Sequence, residues 1–225
     1  MITPAPASIS QHELEERRAT LSDLNAEMRP CRACALANGR TQVVPGEGPV
    51  DAEIIFIGEA PGYYEDQQGH PFVGAAGQFL ESLLAGIGLK RSDVFIANVI
   101  KCRPPGNRDP LPEEISACSN WLNRQLGIVR PKLIVTLGRY SLARFLPGTP
   151  IGRVHGQGRK LGSLWVVPMY HPAAALHQGG LRKTIEDDFR KIPEYVALAE
   201  REFQATMTPV AAAATAPEAS QIPLL

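Results

Sequence analysis

A carboxylate in a turn rich in glycine and proline is the first candidate for chemistry. Glu59 lies in the turn at residues 58–62, directly after the apolar run at residues 54–57. The run predicts a buried strand, and open α/β folds bind ligands at the carboxyl ends of such strands. A purely structural loop does not need a carboxylate at this point. We therefore interpret Glu59 as part of a ligand or catalytic site.

The cysteines form a second candidate site. Cys31 and Cys34 are separated by two residues, whereas Cys102 and Cys118 follow far along the chain. Four thiolates suit either an iron–sulfur cluster or a zinc ion. Structural zinc sites more often use two close pairs, so the wide spacing of the last two cysteines favours a cluster. Because no cysteine lies at a strand end, a structural role fits better than a redox one; the alternative is four unconnected cysteines, two of them buried.

The elements that must position these residues alternate along the chain. Apolar runs predict strands at residues 54–57, 94–100, 133–137 and 164–169, with a short edge strand at 41–44. Amphipathic patterns predict helices at residues 11–28, 77–87, 112–129, 141–145 and 183–202. This alternation predicts an α/β three-layer sandwich with a central four-stranded parallel sheet. The loops that follow its strands then meet at one edge.

The bulk composition narrows the class of protein. The chain has 225 residues and no formal net charge. This excludes strong non-specific binding of nucleic acid by overall positive charge, but it permits a local basic face. It has no apolar window long enough to span a membrane and no signal-peptide pattern at its start, so we expect a cytoplasmic protein. We predict a disordered N-terminus at residues 1–9, one domain at 10–203 and a disordered tail at 204–225.

Six stretches together resemble one known family, the family 4 uracil-DNA glycosylases of the iron–sulfur type. They are CRAC, GEGPVDAEIIFIGEAPG, EDQQGHPFVGAAGQFL, NVIKCRPPGNRDP, PKLIVTLG and MYHPAAAL. The resemblance implies an enzyme that flips uracil out of DNA and hydrolyses its N-glycosidic bond, leaving an abasic site for base excision repair. It also implies a structural 4Fe–4S cluster held by Cys31, Cys34, Cys102 and Cys118. We expect a monomer associated with the nucleoid that acts on single- or double-stranded DNA.

The resemblance also implies which residues read the base. Asn98 matches the asparagine that pairs with the uracil 4-carbonyl and N3–H, an edge whose polarity is reversed in cytosine. Phe72 matches the aromatic residue that stacks on the base. The alternatives are an asparagine that caps the end of a strand and an ordinary core phenylalanine.

Residues of the turn and the following loop complete the expected base pocket. Glu65 matches the residue that crowds C5 and rejects the thymine methyl group, and the adjacent Tyr64 is able to share that task. The main-chain amides around Ala60 and Gly62 are expected to contact the base, which is consistent with a glycine-rich turn.

Two residues match the catalytic positions of the family. His171 matches the histidine that donates a hydrogen bond to the uracil 2-carbonyl, where negative charge grows as the bond breaks. Glu59 lies where another branch of the superfamily carries a water-activating aspartate. The resemblance leaves open whether Glu59 orders the water, stabilises the sugar cation or does both. For both residues the alternative is a structural role.

Two further residues are candidates for DNA contact. Leu176 matches the tip of a loop that enters the duplex where the base leaves, although an ordinary packed leucine is the competing interpretation. Arg103 is one of several basic residues near the same loops that are candidates for phosphate contact.

A covalent abasic-site trap in this superfamily uses a histidine in an inserted basic loop after the third cysteine. Residues 104–112 have neither that insertion nor a histidine, so we expect a hydrolytic enzyme.

The end of the chain resembles a sliding-clamp peptide of bacterial replication and repair proteins. Gln221 is followed, after two residues, by Leu224 and Leu225. We therefore predict a clamp-binding motif in the tail.

A competing interpretation of the whole chain is a non-catalytic DNA-binding module on the same fold, associated with the clamp or a polymerase. A third interpretation is a nucleotide-binding or redox protein. It is disfavoured because the sequence has neither a GxGxxG motif nor a reactive CxxC near the start of a helix.

Overall fold

The structure, a computed structural model, describes residues 9–207. Its strands are β1 (Ile54–Gly58), β2 (Phe95–Asn98), β3 (Leu133–Leu137), β4 (Arg159–Leu161) and β5 (Leu164–Met169). Its α-helices are α1 (Gln11–Met28), α2 (Tyr63–Gln68), α3 (Ala75–Ala85), α4 (Pro112–Val129), α5 (Arg139–Phe145), α6 (Ile151–Val154), α7 (Pro172–His177), α8 (Leu181–Phe189) and α9 (Ile192–Met207). In this part of the chain, no helix has the length and apolarity needed to cross a bilayer.

The strands form one sheet in the order β2-β1-β3-β5-β4. β2, β1, β3 and β5 are parallel, which confirms the predicted class of α/β fold. The sheet has one more strand than predicted, because β4 pairs antiparallel with β5 as an edge strand. All residues of β4 are exposed and two of them, Arg159 and Lys160, are charged. A strand of this kind has no apolar periodicity by which a sequence could reveal it.

Two other predicted elements differ in the structure. Residues 41–44 are not a strand: Val44 donates one hydrogen bond to the Lys101 carbonyl at 2.8 Å, and Pro45 then offers no N–H with which a ladder could continue. The predicted last helix is two helices, α8 and α9. Pro193, the second residue of α9, would clash with the preceding turn in an unbroken helix. α9 extends to Met207, beyond the predicted domain boundary at residue 203.

The core lies on both faces of the sheet. On one face, Ile55 belongs to a buried cluster with Leu122 of α4. On the other, Phe56 belongs to a cluster with Leu80 of α3 and Phe189 of α8, and the rings of Phe56 and Phe189 are 5.9 Å apart. Each of these buried side chains contributes about 1.5–3 kcal/mol to folding. Helices on both faces make the sandwich three layers thick, as predicted.

Arg17 helps to fix helix α1 to the rest of the domain, beside the buried side chains of Leu24 and Met28. Arg17 Nε donates to the carbonyl of Ile128 at 2.7 Å, and its Nη2 donates to the carbonyls of Val50 and Val129. The carbonyls of Ile128 and Val129 belong to the last turn of α4, which lacks intrahelical partners for them. Ser10 caps the start of α1 by accepting from the Glu13 amide at 3.1 Å.

The disorder predicted for the two ends falls largely on residues 1–8 and 208–225, which lie outside the described residues. The same is true of the predicted clamp motif at Gln221, Leu224 and Leu225. These expectations stay predictions.

Candidate active site

An open cleft of about 600 Å³ lies at the carboxyl edge of the sheet. It is formed by the turn after β1, helix α2, the end of β2 with its following loop, and helix α7. Its size is typical of a site for a small ligand or a single nucleotide base. The predicted site residues on its walls are Glu59, Ala60, Gly62, Glu65, Phe72, Asn98, His171 and Leu176. The parallel sheet thus brings residues more than a hundred positions apart into one site.

Asn98, the last residue of β2, is a buried polar residue without a full set of partners. It is 2% exposed, and its Oδ1 has no hydrogen-bond partner among the described residues. A buried acceptor of this kind costs about 1–3 kcal/mol, and a molecule in the cleft that donates a hydrogen bond to it would remove that cost. A Cβ atom on Gly58 would lie 2.4 Å from Asn98 Oδ1 and 2.7 Å from Phe72 Cζ. Glycine at this position therefore lets both side chains lie over the end of β1.

Phe72 lies beside Asn98 in a strained backbone conformation. Its φ is 53°, a backbone angle that residues other than glycine rarely adopt. Arg91 Nη1 donates to the Phe72 carbonyl at 3.0 Å, and Nη2 of the same residue donates to the Pro71 carbonyl. Helix α3 approaches so closely that a Cβ on Gly77 would lie 1.8 Å from the Phe72 carbonyl oxygen. These contacts hold a ring in the cleft at a cost of about 1–3 kcal/mol.

Glu65 of α2 has a task that the sequence did not reveal. Its Oε1 accepts from the amides of Val73 and Gly74, each at 2.9 Å, and its Oε2 accepts from the amide of Gly62 at 3.1 Å. The carboxylate thereby joins the turn after β1 to the segment that carries Phe72. Its predicted contact with C5 of a base stays a prediction, as does the shared role of Tyr64.

Glu59 combines partial burial with an acidic neighbour. Burial raises the pKa of its carboxyl to about 7, and the charge of Asp109 adds to the rise, while Arg139 opposes it. Asp109 and Arg139 form an ion pair with each other. Asp109 lines the cleft but was missed in the sequence, because a charged residue in a proline-rich loop carries no signal that separates it from a solvated one.

His171 has a defined tautomer. It caps α7, and its Nδ1 accepts from the amide of Ala173 at 3.1 Å. A backbone N–H only donates, so Nδ1 carries no proton and Nε2 carries it in the neutral ring. Burial lowers the pKa of His171 to about 4. At neutral pH the residue is therefore an uncharged hydrogen-bond donor, stacked on Phe72 with ring centroids 5.5 Å apart.

The predicted DNA-contact residues lie around the rim. Leu176 of α7 is 50% exposed and lines the cleft. Arg103 Nε donates to Asn107 Oδ1 at 2.7 Å, and its guanidinium carbon lies 5.1 Å from the centre of the Tyr63 ring. Tyr63 and Asn107 both line the cleft, although the sequence interpretation assigned a role to neither. Inside the cleft, Phe72 and Asn98 can hold a planar polar ring. His171 can supply a neutral hydrogen-bond donor to that ring, and Glu59 can place a carboxylate beside it.

The four cysteines line one small pocket, which is separate from the cleft. Cys102 Sγ accepts from Arg40 Nη1 at 3.4 Å, and Cys118 Sγ accepts from the Lys101 amide at 3.3 Å. Burial raises the pKa of the Cys118 thiol to about 11. Four sulfur donors with cationic neighbours fit an anionic thiolate cluster. Among residues 9–207, however, no three ligating side chains have the arrangement of an assembled metal site.

Comparison with known proteins gives the family to which the chain belongs. The model of the uracil DNA glycosylase superfamily matches residues 45–196, and the chain belongs to that superfamily. A type-4 uracil-DNA glycosylase of Archaeoglobus fulgidus is 49% identical over 188 residues, which are 78% of this chain and 92% of the relative. Those of Sulfurisphaera tokodaii and Thermotoga maritima are 47% and 40% identical over 81% and 80% of this chain, and over 87% and 96% of their own lengths. Within the superfamily the chain is a type-4 member, which confirms the predicted resemblance.

Proposed function

We propose that this protein is a uracil-DNA glycosylase that hydrolyses the N-glycosidic bond of a flipped uracil in DNA repair. The observation that carries the proposal is the buried, unpartnered Oδ1 of Asn98 in one cleft with Glu59 and a neutral His171. The type-4 relatives support it. A non-catalytic DNA-binding module is disfavoured, because such a module would not need to keep these three groups together.

The direct test is uracil release from single- and double-stranded oligonucleotides that carry one uracil. We expect release of the free base and an alkali-labile abasic site. Oligonucleotides with thymine or cytosine at the same position serve as controls. The absence of uracil release by the intact protein would contradict the proposal.

The base is recognised by shape and by hydrogen-bond polarity. A uracil in the cleft offers N3–H to Asn98 Oδ1 and its 4-carbonyl to the Asn98 amide N–H. Cytosine presents an acceptor at N3 and a donor at position 4, so both contacts become repulsive or unsatisfied. The Phe72 ring supplies the stacking face that the base loses when it leaves the helix.

Bond cleavage separates charge, and the two catalytic residues face the two charges. As the C–N bond breaks, electrons move to the uracil, and the neutral Nε2–H of His171 stabilises the growing charge on the 2-carbonyl. The sugar becomes oxocarbenium-like, and an ionised Glu59 stabilises it or orders the attacking water. Water then adds at C1′, and the proton that it loses neutralises the uracil anion through the solvent, so the products are free uracil and an abasic site.

Replacing Glu59 with glutamine tests the need for an ionised carboxylate. Because the pKa of Glu59 is raised to about 7, we expect the wild-type kcat/KM to rise with pH up to about 7 and then level off. Glu59→Gln should remove this rise and reduce kcat/KM by about 10²-fold at pH 8, but by less at pH 6. The measurement is uracil release from pH 5.5 to 9.

The same variant has an independent signature in stability. Between the ordinary carboxyl pKa of 4.5 and the raised folded value, the unfolded state ionises first, so the free energy of unfolding falls as pH rises. Glu59→Gln should therefore be more stable than wild type at pH 8, by about 1 kcal/mol after allowance for partial exposure. A variant with the wild-type pH–rate profile would contradict the role of Glu59.

We also propose that the cysteine pocket holds a 4Fe–4S cluster with a structural role. Cys31, Cys34, Cys102 and Cys118 would supply the thiolates, and Arg40 and Lys101 would balance part of the negative charge. When bound, the cluster would join the segment after α1, the loop after β2 and helix α4. The support is the shared pocket, the sulfur-only donor set and the type-4 membership.

Substitution of Cys118 by serine should remove the cluster. We expect the purified wild type to be brown and to contain about four iron atoms per chain, and Cys118→Ser to lose most of this iron. Its free energy of unfolding should fall by about 2–5 kcal/mol, because three chain segments lose their joint ligand. Visible absorption, iron content and thermal unfolding measure these effects. Ser116→Ala on the same helix is the control; zinc in place of iron would contradict the proposal.

Clamp binding through Gln221, Leu224 and Leu225 stays a prediction of the sequence, because these residues lie outside the described part of the chain. The monomeric state and the cytoplasmic location also stay predictions.

A further inference from the structure

Two tyrosines at the mouth of the cleft are unusually exposed for large aromatic residues. Tyr63 and Tyr64, the first residues of α2, are 52% and 59% exposed, and both line the cleft. Their rings meet edge to face, 5.4 Å apart at an angle of 81°. Exposed aromatic surface beside a binding cleft is costly in water and typical of an interaction site.

A cation completes this surface. The Arg103 guanidinium lies 5.1 Å from the centre of the Tyr63 ring, and Asn107 holds it through a 2.7 Å hydrogen bond. An aromatic face with a fixed cation is the combination with which proteins bind single-stranded nucleic acid, because bases stack on the ring and phosphates meet the charge. We call Tyr63, Tyr64 and Arg103 the tyrosine ledge.

The position of the ledge limits what it can bind. It adjoins the cleft that holds the flipped base in the proposed function, so the part of the substrate nearest to it is a nucleotide next to the uracil. In a duplex, that neighbouring base is held by pairing to the other strand and by stacking on the base pair beyond it, so it cannot turn onto the ledge. In a single strand it is free to do so. An unpaired neighbour is therefore the occupant that the ledge fits.

We propose that the tyrosine ledge stacks an unpaired base next to the uracil and so favours single-stranded over double-stranded substrate. This inference rests on the proposed function and deepens it, since it names the form of DNA that the site prefers. The ledge acts in binding and leaves the chemistry to Glu59 and His171.

The first experiment measures stacking directly. The probe is a single-stranded oligonucleotide in which 2-aminopurine lies on one side or the other of 2′-fluoro-2′-deoxyuridine, a uridine that resists cleavage because fluorine destabilises the sugar cation. We expect the wild type to quench 2-aminopurine fluorescence on one side. The Tyr63→Ala/Tyr64→Ala double variant should lose this quenching, and Tyr63→Phe/Tyr64→Phe should keep it because the rings remain.

The second experiment compares substrates. The alanine double variant should lose about 10-fold or more in kcat/KM on single-stranded DNA relative to its loss on duplex DNA, mostly through KM. Leu161→Ala, which removes a 37% exposed leucine from β4, is the matched control for loss of apolar surface and should leave the ratio unchanged. Circular dichroism confirms that each variant is folded.

The outcomes separate this inference from the proposed function. Uracil release by wild type without quenching on either side would overturn the ledge alone, as would equal losses on both substrates. Failure of the wild type to release uracil would instead overturn the proposed function.

Discussion

Asn98→Ala is expected to reduce kcat/KM for uracil release by about 10³-fold or more. The variant loses both hydrogen bonds to the base, and a site built around such bonds discriminates by large factors when they are missing. Residual activity should also discriminate less between uracil and cytosine, because Asn98 supplies the polarity that separates them. Uracil and cytosine release under single-turnover conditions measure both effects.

The stability of this variant should change in a different way. Asn98 Oδ1 is buried without a partner, so alanine removes an unsatisfied acceptor as well as a packed side chain. We expect the free energy of unfolding to stay within about 1 kcal/mol of wild type. Asn25 of α1 is a matched control, because its Oδ1 is also buried without a partner but lies outside the cleft. If Asn25→Ala were as inactive as Asn98→Ala, the assigned role of Asn98 would be wrong.

His171→Phe is expected to reduce kcat by about 10²–10³-fold, the usual effect of removing one donor to a developing oxyanion. Phenylalanine keeps a ring beside Phe72 but has no N–H, so the loss isolates the hydrogen bond from the packing. The wild type should show no histidine step in its pH–rate profile above pH 5, since burial lowers the pKa of His171 to about 4. Single-turnover rates and their pH dependence provide the measurement.

Two comparisons make the His171 result specific. His171→Ala should be slower still or equal, because it also opens a gap beside Phe72. Both variants lose the cap of α7 and should be destabilised by about 1 kcal/mol. A fall in rate as pH rises through about 6.5, the reverse of the rise expected from Glu59, that disappears in His171→Phe would show instead that the imidazolium is the active form.

Much of the fold and the cleft could be predicted because local patterns and topology agree. Apolar runs mark the four parallel strands, and a parallel sheet necessarily brings their carboxyl ends together. Glu59, Asn98 and His171 each lie at such an end or within two residues after it, so their convergence follows from the order of the elements. The cysteine pocket could be predicted from ligand chemistry, since four thiols in a chain of this kind suggest one shared site.

Other features depend on contacts that no local pattern records. The carboxylate of Glu65 binds three backbone amides from two segments, and this becomes visible only when both segments are in place. The effect of Asp109 on Glu59 likewise depends on how a proline-rich loop folds back. β4 was missed because it is stabilised by its neighbour β5 and has no apolar face of its own.

The attachment of α1 by Arg17 has a consequence for the order in which the chain folds. The guanidinium of Arg17 closes a loop of 111 residues when it reaches the carbonyl of Ile128. During synthesis, α1 leaves the ribosome long before its docking surface on α4 exists, and its apolar side chains stay in water for that time. Contacts of such long separation slow folding, because the loop entropy is lost before the contact is gained. Helix α1 should therefore be among the last of the described elements to acquire native packing, although it is made before the others.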